Sequence, residues 1–156
     1  MLGRFAVDFV VVRDEQGHWS QYAIELNLRK GGTTHPYLTL EFLTEGAYDA
    51  EAARFTSPRG AAKFLVASDH VESPVFRGLA HDDLFDVIVR MGLHFDHACQ
   101  KGVVFHMMSA LSELGRIGLT AVADTPEEAM GMYGDAEAAL LDAGRSALVP
   151  PSLPGG

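Results

Sequence analysis

The chain has 156 residues, a formal net charge of −9 and one cysteine, Cys99. This length allows one domain of ordinary size with a sizeable core. The dispersed acidic charge argues against binding nucleic acid or an anionic membrane through a basic surface. No apolar run approaches the roughly 20 residues of a membrane-spanning helix, and a lone cysteine excludes an intrachain disulfide and suits a reducing cytoplasm.

Two strands joined by a polar turn are predicted at the start of the chain, over residues 5–12 and 22–29. Side chains two residues apart share a face of a strand, so Glu25, Asn27 and Arg29 fall together on the second strand, with Ala23. The segment between the strands, residues 13–18, is polar and contains a glycine, which is typical of a hairpin turn.

A tight turn at Gln16 and Gly17 would pair Glu15 with His18. Counting back along both strands, Asp8 then lies opposite Glu25. A longer loop or a bulge would shift this register, so the pairing is a hypothesis.

Two carboxylates facing each other across a ladder repel, and a cation between them removes the repulsion. Magnesium, with manganese as a substitute, suits Asp8 and Glu25 because it takes carboxylate and amide oxygens and completes its shell with water and phosphate. Asn27 offers the amide oxygen. The pattern predicts a divalent-metal site on the hairpin, against the simpler interpretation of a solvated polar face.

The loop after the second strand predicts an anion site next to the metal. Arg29 offers a fork of donors for phosphate or carboxylate, and Gly31 and Gly32 let backbone N–H groups approach an anion closely. A helix predicted over 35–44 would direct its N-terminal dipole at this loop. His35 could bond a substrate carboxylate or acyl phosphate, or simply cap the helix.

The remaining segments alternate short strands and helices, with a junction between residues 47 and 58. Thr125 and Glu128 form a capping box at the start of the last helix, and Gly144 marks its end. Strands are predicted over 63–67, 75–79, 93–99, 103–107 and 119–123, helices over 81–91 and 125–143, and a disordered tail over 150–156.

A second metal site is an alternative that the histidines suggest. A zinc ion needs three or four ligands that converge, and the spacing does not match a strong zinc motif. The candidates are His94, Asp96, His97, Cys99 and His106. Surface or core histidines, and a buried Cys99, are the simpler interpretation.

The hairpin residues resemble the ATP-grasp ligases, whose last core hairpin carries an Asp or Glu on one strand and Glu-x-Asn on the next. Here these are Asp8, then Glu25 and Asn27, with Arg29 two residues further on. The string continuing through Gly-Gly-Thr-Thr-His-Pro is similar to the peptide-ligase branch of pheganomycin-type assembly. The resemblance starts at Gly3 and extends to residue 142, through the motifs at 102–106 and 115–121.

The resemblance implies an α+β fold: the C-terminal half of an ATP-grasp fold, with an antiparallel hairpin and flanking helices, plus a small α+β extension. Residues 1–46 would end the catalytic core, 47–149 would form the ligase-associated region, and 150–156 the tail. We expect the N-terminal ATP-grasp half, with its lysines and lid, to be missing from this chain, because the chain is either the product of a truncated gene or one subunit of a divided enzyme. The chain alone is then expected to be inactive.

The implied activity is ATP-dependent joining of a small carboxylate to an amine, such as an amino acid or peptide, through an acyl phosphate. Each site residue receives a role by its position in the motif. The roles are Asp8, Glu25 and Asn27 for the metal, Arg29, Gly31 and Gly32 for catalysis, Arg29 and Thr33 for ATP, and Thr34 and His35 for substrate. The alternatives are a non-catalytic interaction or folding module and, more remotely, a histidine-based metal-binding domain.

Overall fold

The computed structural model describes residues 5–148, in two compact units that meet in sequence between Thr39 and Leu40. Gly3, where the resemblance begins, and the predicted tail at 150–156 lie outside the described residues. The elements in chain order are β1 (Ala6–Arg13), β2 (Trp19–Asn27), α1 (Thr34–Thr44), β3 (Ala47–Asp49), β4 (Arg54–Thr56), β5 (Phe64–Glu72), a 3-10 helix (Pro74–Gly78), α2 (His81–Arg90), β6 (Gly102–His106), α3 (Ala110–Leu114), β7 (Arg116–Ala123) and α4 (Pro126–Ala147).

Strands β1 and β2 form an antiparallel hairpin in the first unit, as predicted, but the turn is longer than predicted. Asp14 N–H donates to the His18 carbonyl at 3.0 Å and Gly17 N–H donates to the Asp14 carbonyl at 3.0 Å. Gly17 has a φ of 90°, which a side chain would strain. The expected pairing of Glu15 with His18 is therefore wrong: this is a three-residue loop with a left-handed glycine at its end.

A β-bulge restores the register that the longer turn displaces. Asp8 pairs with Glu25 and Phe9 pairs with Ala23, so Ile24 has no partner on β1. Toward the turn, Val10 therefore faces Tyr22. The predicted facing of Asp8 and Glu25 is confirmed, whereas the expectation that Ala23 shares their face is wrong because the bulge interrupts the alternation.

The second unit contains a three-stranded antiparallel sheet of order β5-β7-β6. The central strand β7 is buried from Ile117 to Ala123 because it has a neighbour on each side and helices above it. Its core face packs against α2, α3, α4 and the 3-10 helix. The core side chains include Leu84, Val87, Ile88, Val103, Leu111, Ile117, Leu119, Ala121, Ala136 and Leu140. The α+β class is confirmed.

The helix boundaries follow the capping residues. Asp83 accepts the Ala80 N–H at 2.7 Å at the start of α2, and Thr125 accepts the Glu128 N–H at 3.1 Å at the start of α4. Gly144 does not end α4, which continues to Ala147. A Cβ at Gly144 would lie 2.9 Å from the Val75 carbonyl oxygen, so this glycine serves a close approach of backbones instead.

Two predicted strands are not regular strands. Residues 75–79 lie in the 3-10 helix, because Pro74 fixes a helical φ at its first turn and the Phe76 N–H donates to the Ser73 carbonyl at 3.1 Å. Residues 93–99 make only isolated bridges, from His94 to Val103 and from Asp96 to Lys101. The short β3–β4 hairpin and α3 were not anticipated.

Within residues 5–148, no helix combines the length and apolar character needed to cross a membrane. The boundary between the two units lies at 39/40, seven residues before the predicted domain boundary, and the functional assignment of the two segments stays a prediction.

Candidate functional site

The carboxylates of Asp8 and Glu25 face the same side of the hairpin, next to the bulge at Ile24. Asn27 is on this side as well, because its Nδ2 donates to Asp8 Oδ2 at 3.2 Å. The two carboxylates are exposed and Asn27 is half-buried. Hydrogen bonding through the amide nitrogen leaves the Asn27 oxygen available, so the donor set is two carboxylates and one amide oxygen.

This donor set suits magnesium or manganese, which are hard ions that take oxygen ligands and keep sites for water and phosphate. Two carboxylates are too few to enclose an ion by themselves. Among residues 5–148 no group of three or more His, Cys, Asp or Glu side chains is placed to hold a metal. Nothing in the described part of the chain therefore supports the zinc alternative at His94, Asp96, His97, Cys99 and His106.

The loop from Leu28 to Thr33 follows β2, which ends at Asn27. We had expected Arg29 on the strand face of Glu25 and Asn27. It lies in the loop instead. Among the described residues, the last pair of the ladder joins Ala6 to Asn27. Arg29, Gly32 and Thr33 are exposed.

Gly31 and Thr34 bond each other at the start of α1. The Gly31 N–H donates to Thr34 Oγ1 at 3.1 Å, and the Thr34 N–H donates to the Gly31 carbonyl at 3.0 Å. Thr34 is buried, at 7% exposure. The Gly31 amide is therefore engaged within the chain, and Gly32 and Thr33 offer the exposed backbone of this loop. His35 is exposed on the first turn of α1.

A charged network that sequence reasoning missed lies in the second unit. The buried Lys63 Nζ donates to the carbonyls of Cys99 and Gln100, at 3.1 and 3.0 Å, and to Asp124 Oδ1 at 2.7 Å. Lys101 Nζ reaches Glu128 Oε1 at 2.8 Å. Only an apolar strand context around a lone lysine signals such a contact in the sequence, and that signal does not identify the partners.

The same network fixes the ionisation of its carboxyl groups. The hydrogen bond from Lys63 is the largest influence holding the pKa of Asp124 below its usual value. The hydrogen bond from Lys101 does the same for the pKa of Glu128, and Glu128 in turn raises the pKa of Lys101. These charges join the 96–101 loop to the start of α4, which indicates a structural role.

The comparisons with known proteins agree with the motifs. Residues 83–134 match the family described as the PGM1 C-terminal domain. The chain is 32% identical over 139 residues to an L-propargylglycine–L-glutamate ligase of Streptantibioticus cattleyicolor, covering 89% of this chain and 28% of that protein. The chain thus spans less than a third of the length of this relative. No solved structure matches this chain.

These two matches confirm the resemblance of this chain to the C-terminal part of the ATP-grasp carboxylate–amine ligases, in the branch of the pheganomycin-type peptide ligases.

Proposed function

We propose that this chain is the C-terminal part of an ATP-dependent ligase that joins a small carboxylate to an amine, such as an amino acid or peptide, through an acyl phosphate. Its contribution is the metal-binding hairpin. The match to a ligase over 89% of the chain supports the ligase class. The facing of Asp8 and Glu25 is the single observation that carries the metal role.

The physical argument rests on the repulsion between the two carboxylates. Like charges directly opposite each other destabilise a ladder, and the Asn27 amide partly offsets this through its bond to Asp8. A magnesium ion would remove the remaining repulsion. Bound there, magnesium would neutralise charge on the ATP phosphates during phosphoryl transfer.

The loop after the hairpin is proposed to contact the nucleotide and the substrates. Arg29 and the Gly32 N–H would stabilise the transferred phosphoryl group, with Thr33 on the nucleotide side. His35, on the first turn of the 11-residue helix α1, would meet the substrate carboxylate. Gly31 and Thr34 would act by holding the shape of the loop, because they bond each other.

The partner is proposed to be the remaining part of an ATP-grasp fold. Apolar side chains cover both faces of the hairpin and are exposed, from 43% at Val10 to 67% at Trp19. An isolated two-stranded hairpin is marginal in water, so this surface needs a cover of apolar residues. A segment that completes the nucleotide clamp would provide it, and without that segment we expect no ligation. The cytoplasmic location stays a prediction.

The second candidate is a non-catalytic interaction or folding module. It is favoured by the contacts that the candidate site makes with itself: Asp8 is bonded to Asn27, and Gly31 to Thr34. A site that satisfies its own polar groups does not require a ligand. The two candidates differ in whether the hairpin binds a metal.

Metal binding is tested by titrating the chain with manganese and following paramagnetic broadening in the NMR spectrum. The proposal expects broadening centred on Asp8, Glu25 and Asn27, and its loss in Glu25→Gln. A matched control is Glu15→Gln, on the turn of the same hairpin. Broadening centred elsewhere, or equal broadening in both variants, would contradict the metal role.

The ligase role is tested on the chain assembled with a nucleotide-binding ATP-grasp half. Glu25→Gln should lower ATP-dependent phosphate release by orders of magnitude, because metal neutralisation of the phosphates contributes several kcal/mol. Glu15→Gln should leave the rate unchanged. Robust turnover by the chain alone would show that the proposed division of the enzyme is wrong.

A further inference from the structure

A cleft of about 470 Å³ opens between α2 and α4 in the second unit. Its apolar lining comes from Val87 and Met91 at the end of α2 and from Ala139 and Ala143 on α4. The α4 side chains recur three or four residues apart and are small, so they leave space beside α2 that larger side chains would fill. The volume lies within the range of small-molecule sites, roughly 300–1,000 Å³.

Three charged side chains line this cleft, and two of them have opposite signs and lie on different helices. Arg90 comes from α2 and Asp135 from α4. The Arg90 Nε donates to the Asp86 carbonyl of its own helix at 3.1 Å. Among residues 5–148 neither Arg90 nor Asp135 has an ion-pair partner within 4 Å, whereas Asp142, also in the cleft, is paired with Arg145 at 3.1 Å. Of the three charged side chains that line the cleft, one cation, Arg90, and one anion, Asp135, are thus left without an ion-pair partner.

We propose that this cleft binds a small zwitterion with an apolar side chain, such as a free amino acid. The Arg90 guanidinium would bind the carboxylate, because its fork of donors matches two oxygens. The Asp135 carboxylate would bind the ammonium, and the apolar side chain would lie on the alanines. A ligand with a single charge fits less well, because it meets an attractive group on one helix and a repulsive group on the other.

This site is separate from the hairpin and does not depend on the metal. It goes beyond the proposed ligase role, and its test uses binding to the chain alone. A negative result here leaves the manganese titration of the hairpin unaffected, and a negative manganese result leaves this site unaffected.

The test is an NMR titration of the full chain with L-leucine, followed through the backbone amides and the Arg90 side-chain N–H. N-acetyl-leucine lacks the ammonium and leucinamide lacks the carboxylate. The proposal expects shifts centred on Arg90, Asp135 and Ala139, with L-leucine binding up to about fivefold tighter than either analogue, as one exposed ion pair provides. Equal binding of all three compounds, shifts elsewhere or no shifts would overturn it.

Variants assign each charge to its partner. Arg90→Gln should weaken L-leucine by up to about fivefold without weakening leucinamide, and Asp135→Asn should weaken L-leucine equally without weakening N-acetyl-leucine, because each change also removes the repulsion that the singly charged analogue meets. Ala138→Leu lies on the exposed side of the cleft and should block all three while α4 still folds, since leucine is a good helix former. The matched control is Glu137→Gln, on α4 outside the cleft. Weakening by the control equal to that of Asp135→Asn would contradict the proposal.

Discussion

The β1–β2 hairpin and the β5-β7-β6 sheet of this protein differ in where their apolar side chains lie. In the β5-β7-β6 sheet, Ile117 and Leu119 are fully buried under helices of the same unit. In the β1–β2 hairpin, Leu26 and Ile24 are more than half exposed. Strands β7 and β2 both have apolar sequences, so apolar content alone does not determine burial. The β5-β7-β6 sheet is covered by helices of its own unit, whereas the hairpin requires a cover from outside the hairpin.

The difference in burial between the two sheets can be expressed as a free energy. Burying one large apolar side chain contributes about 1.5–3 kcal/mol, and the hairpin exposes a group of them. The exposed side chains are Phe5, Phe9, Val10, Val11, Val12, Trp19, Tyr22, Ile24, Leu26 and Leu28. The free energy gained by burying them together on assembly would far exceed the few tenths of a kcal/mol that a single exposed contact contributes. We therefore expect the partner to cover the hairpin.

The comparison is most directly tested by truncating one leucine in each sheet. Leu119→Ala should destabilise the second unit by about 2–5 kcal/mol, because it leaves a cavity in a closed core. Leu26→Ala should change the stability of the chain alone by no more than about 0.5 kcal/mol, as at other exposed positions. Urea unfolding followed by circular dichroism measures both. A large loss in Leu26→Ala would show that the hairpin face is covered within the chain itself.

The buried ammonium of Lys63 gives the next largest effect. Lys63→Met keeps most of the side-chain volume but removes the donor of two carbonyls and one of the two lysine partners of Asp124, and should cost about 1–3 kcal/mol. Lys30→Met, in the exposed loop of the first unit, is the control and should have little effect. Equal unfolding midpoints for both variants would mean that the network contributes nothing to stability.

Acid should weaken the second unit. The pKa of Asp124 and that of Glu128 are lowered in the folded chain by their lysine partners. A lowered folded-state pKa contributes stability above the unfolded pKa, near 4, and this stability is lost as the pH falls further through the folded pKa. Unfolding midpoints at pH 5 and pH 3 should therefore differ less in Asp124→Asn than in the natural chain. An unchanged difference would show that other groups dominate the acid response.

The smallest effect concerns the hairpin charges. Glu25→Gln removes the repulsion with Asp8 and, without metal, should change stability by at most about 1 kcal/mol, in the stabilising direction. Thermal melting with and without manganese measures this. A large loss of stability in the metal-free variant would make Glu25 a structural residue.

Sequence patterns predicted the parts of the molecule that depend on neighbours along the chain. Counting back from the turn identified the facing of Asp8 and Glu25, and the capping residues Thr125 and Glu128 identified the start of α4. The pairing near the turn was mispredicted because a longer loop and a bulge, whose effects on register cancel beyond Ile24, leave no separate trace in the pattern. The pairing of Asp8 with Glu25 was thus predicted correctly, although the turn from which it was counted was predicted incorrectly.

Contacts between distant residues were beyond these patterns. Lys63 and Asp124 are 61 residues apart, and only the folded sheet brings them together. Gly144 looked like a helix stop because glycine often follows a last turn, whereas its role is the approach of Val75. The cleft between α2 and α4 was missed for the same reason, since its charges belong to different helices.

Because of the bulge at Ile24, the direction in which the candidate metal ligands point can change while the ligand residues stay the same. Because Ile24 is the extra residue, deleting it would leave Asp8 opposite Glu25 and every ligand in place. The deletion would remove the local bend and added twist that a bulge gives a strand. Evolution can therefore redirect the two carboxylates relative to each other by gaining or losing one apolar residue, without replacing any residue that would touch the metal.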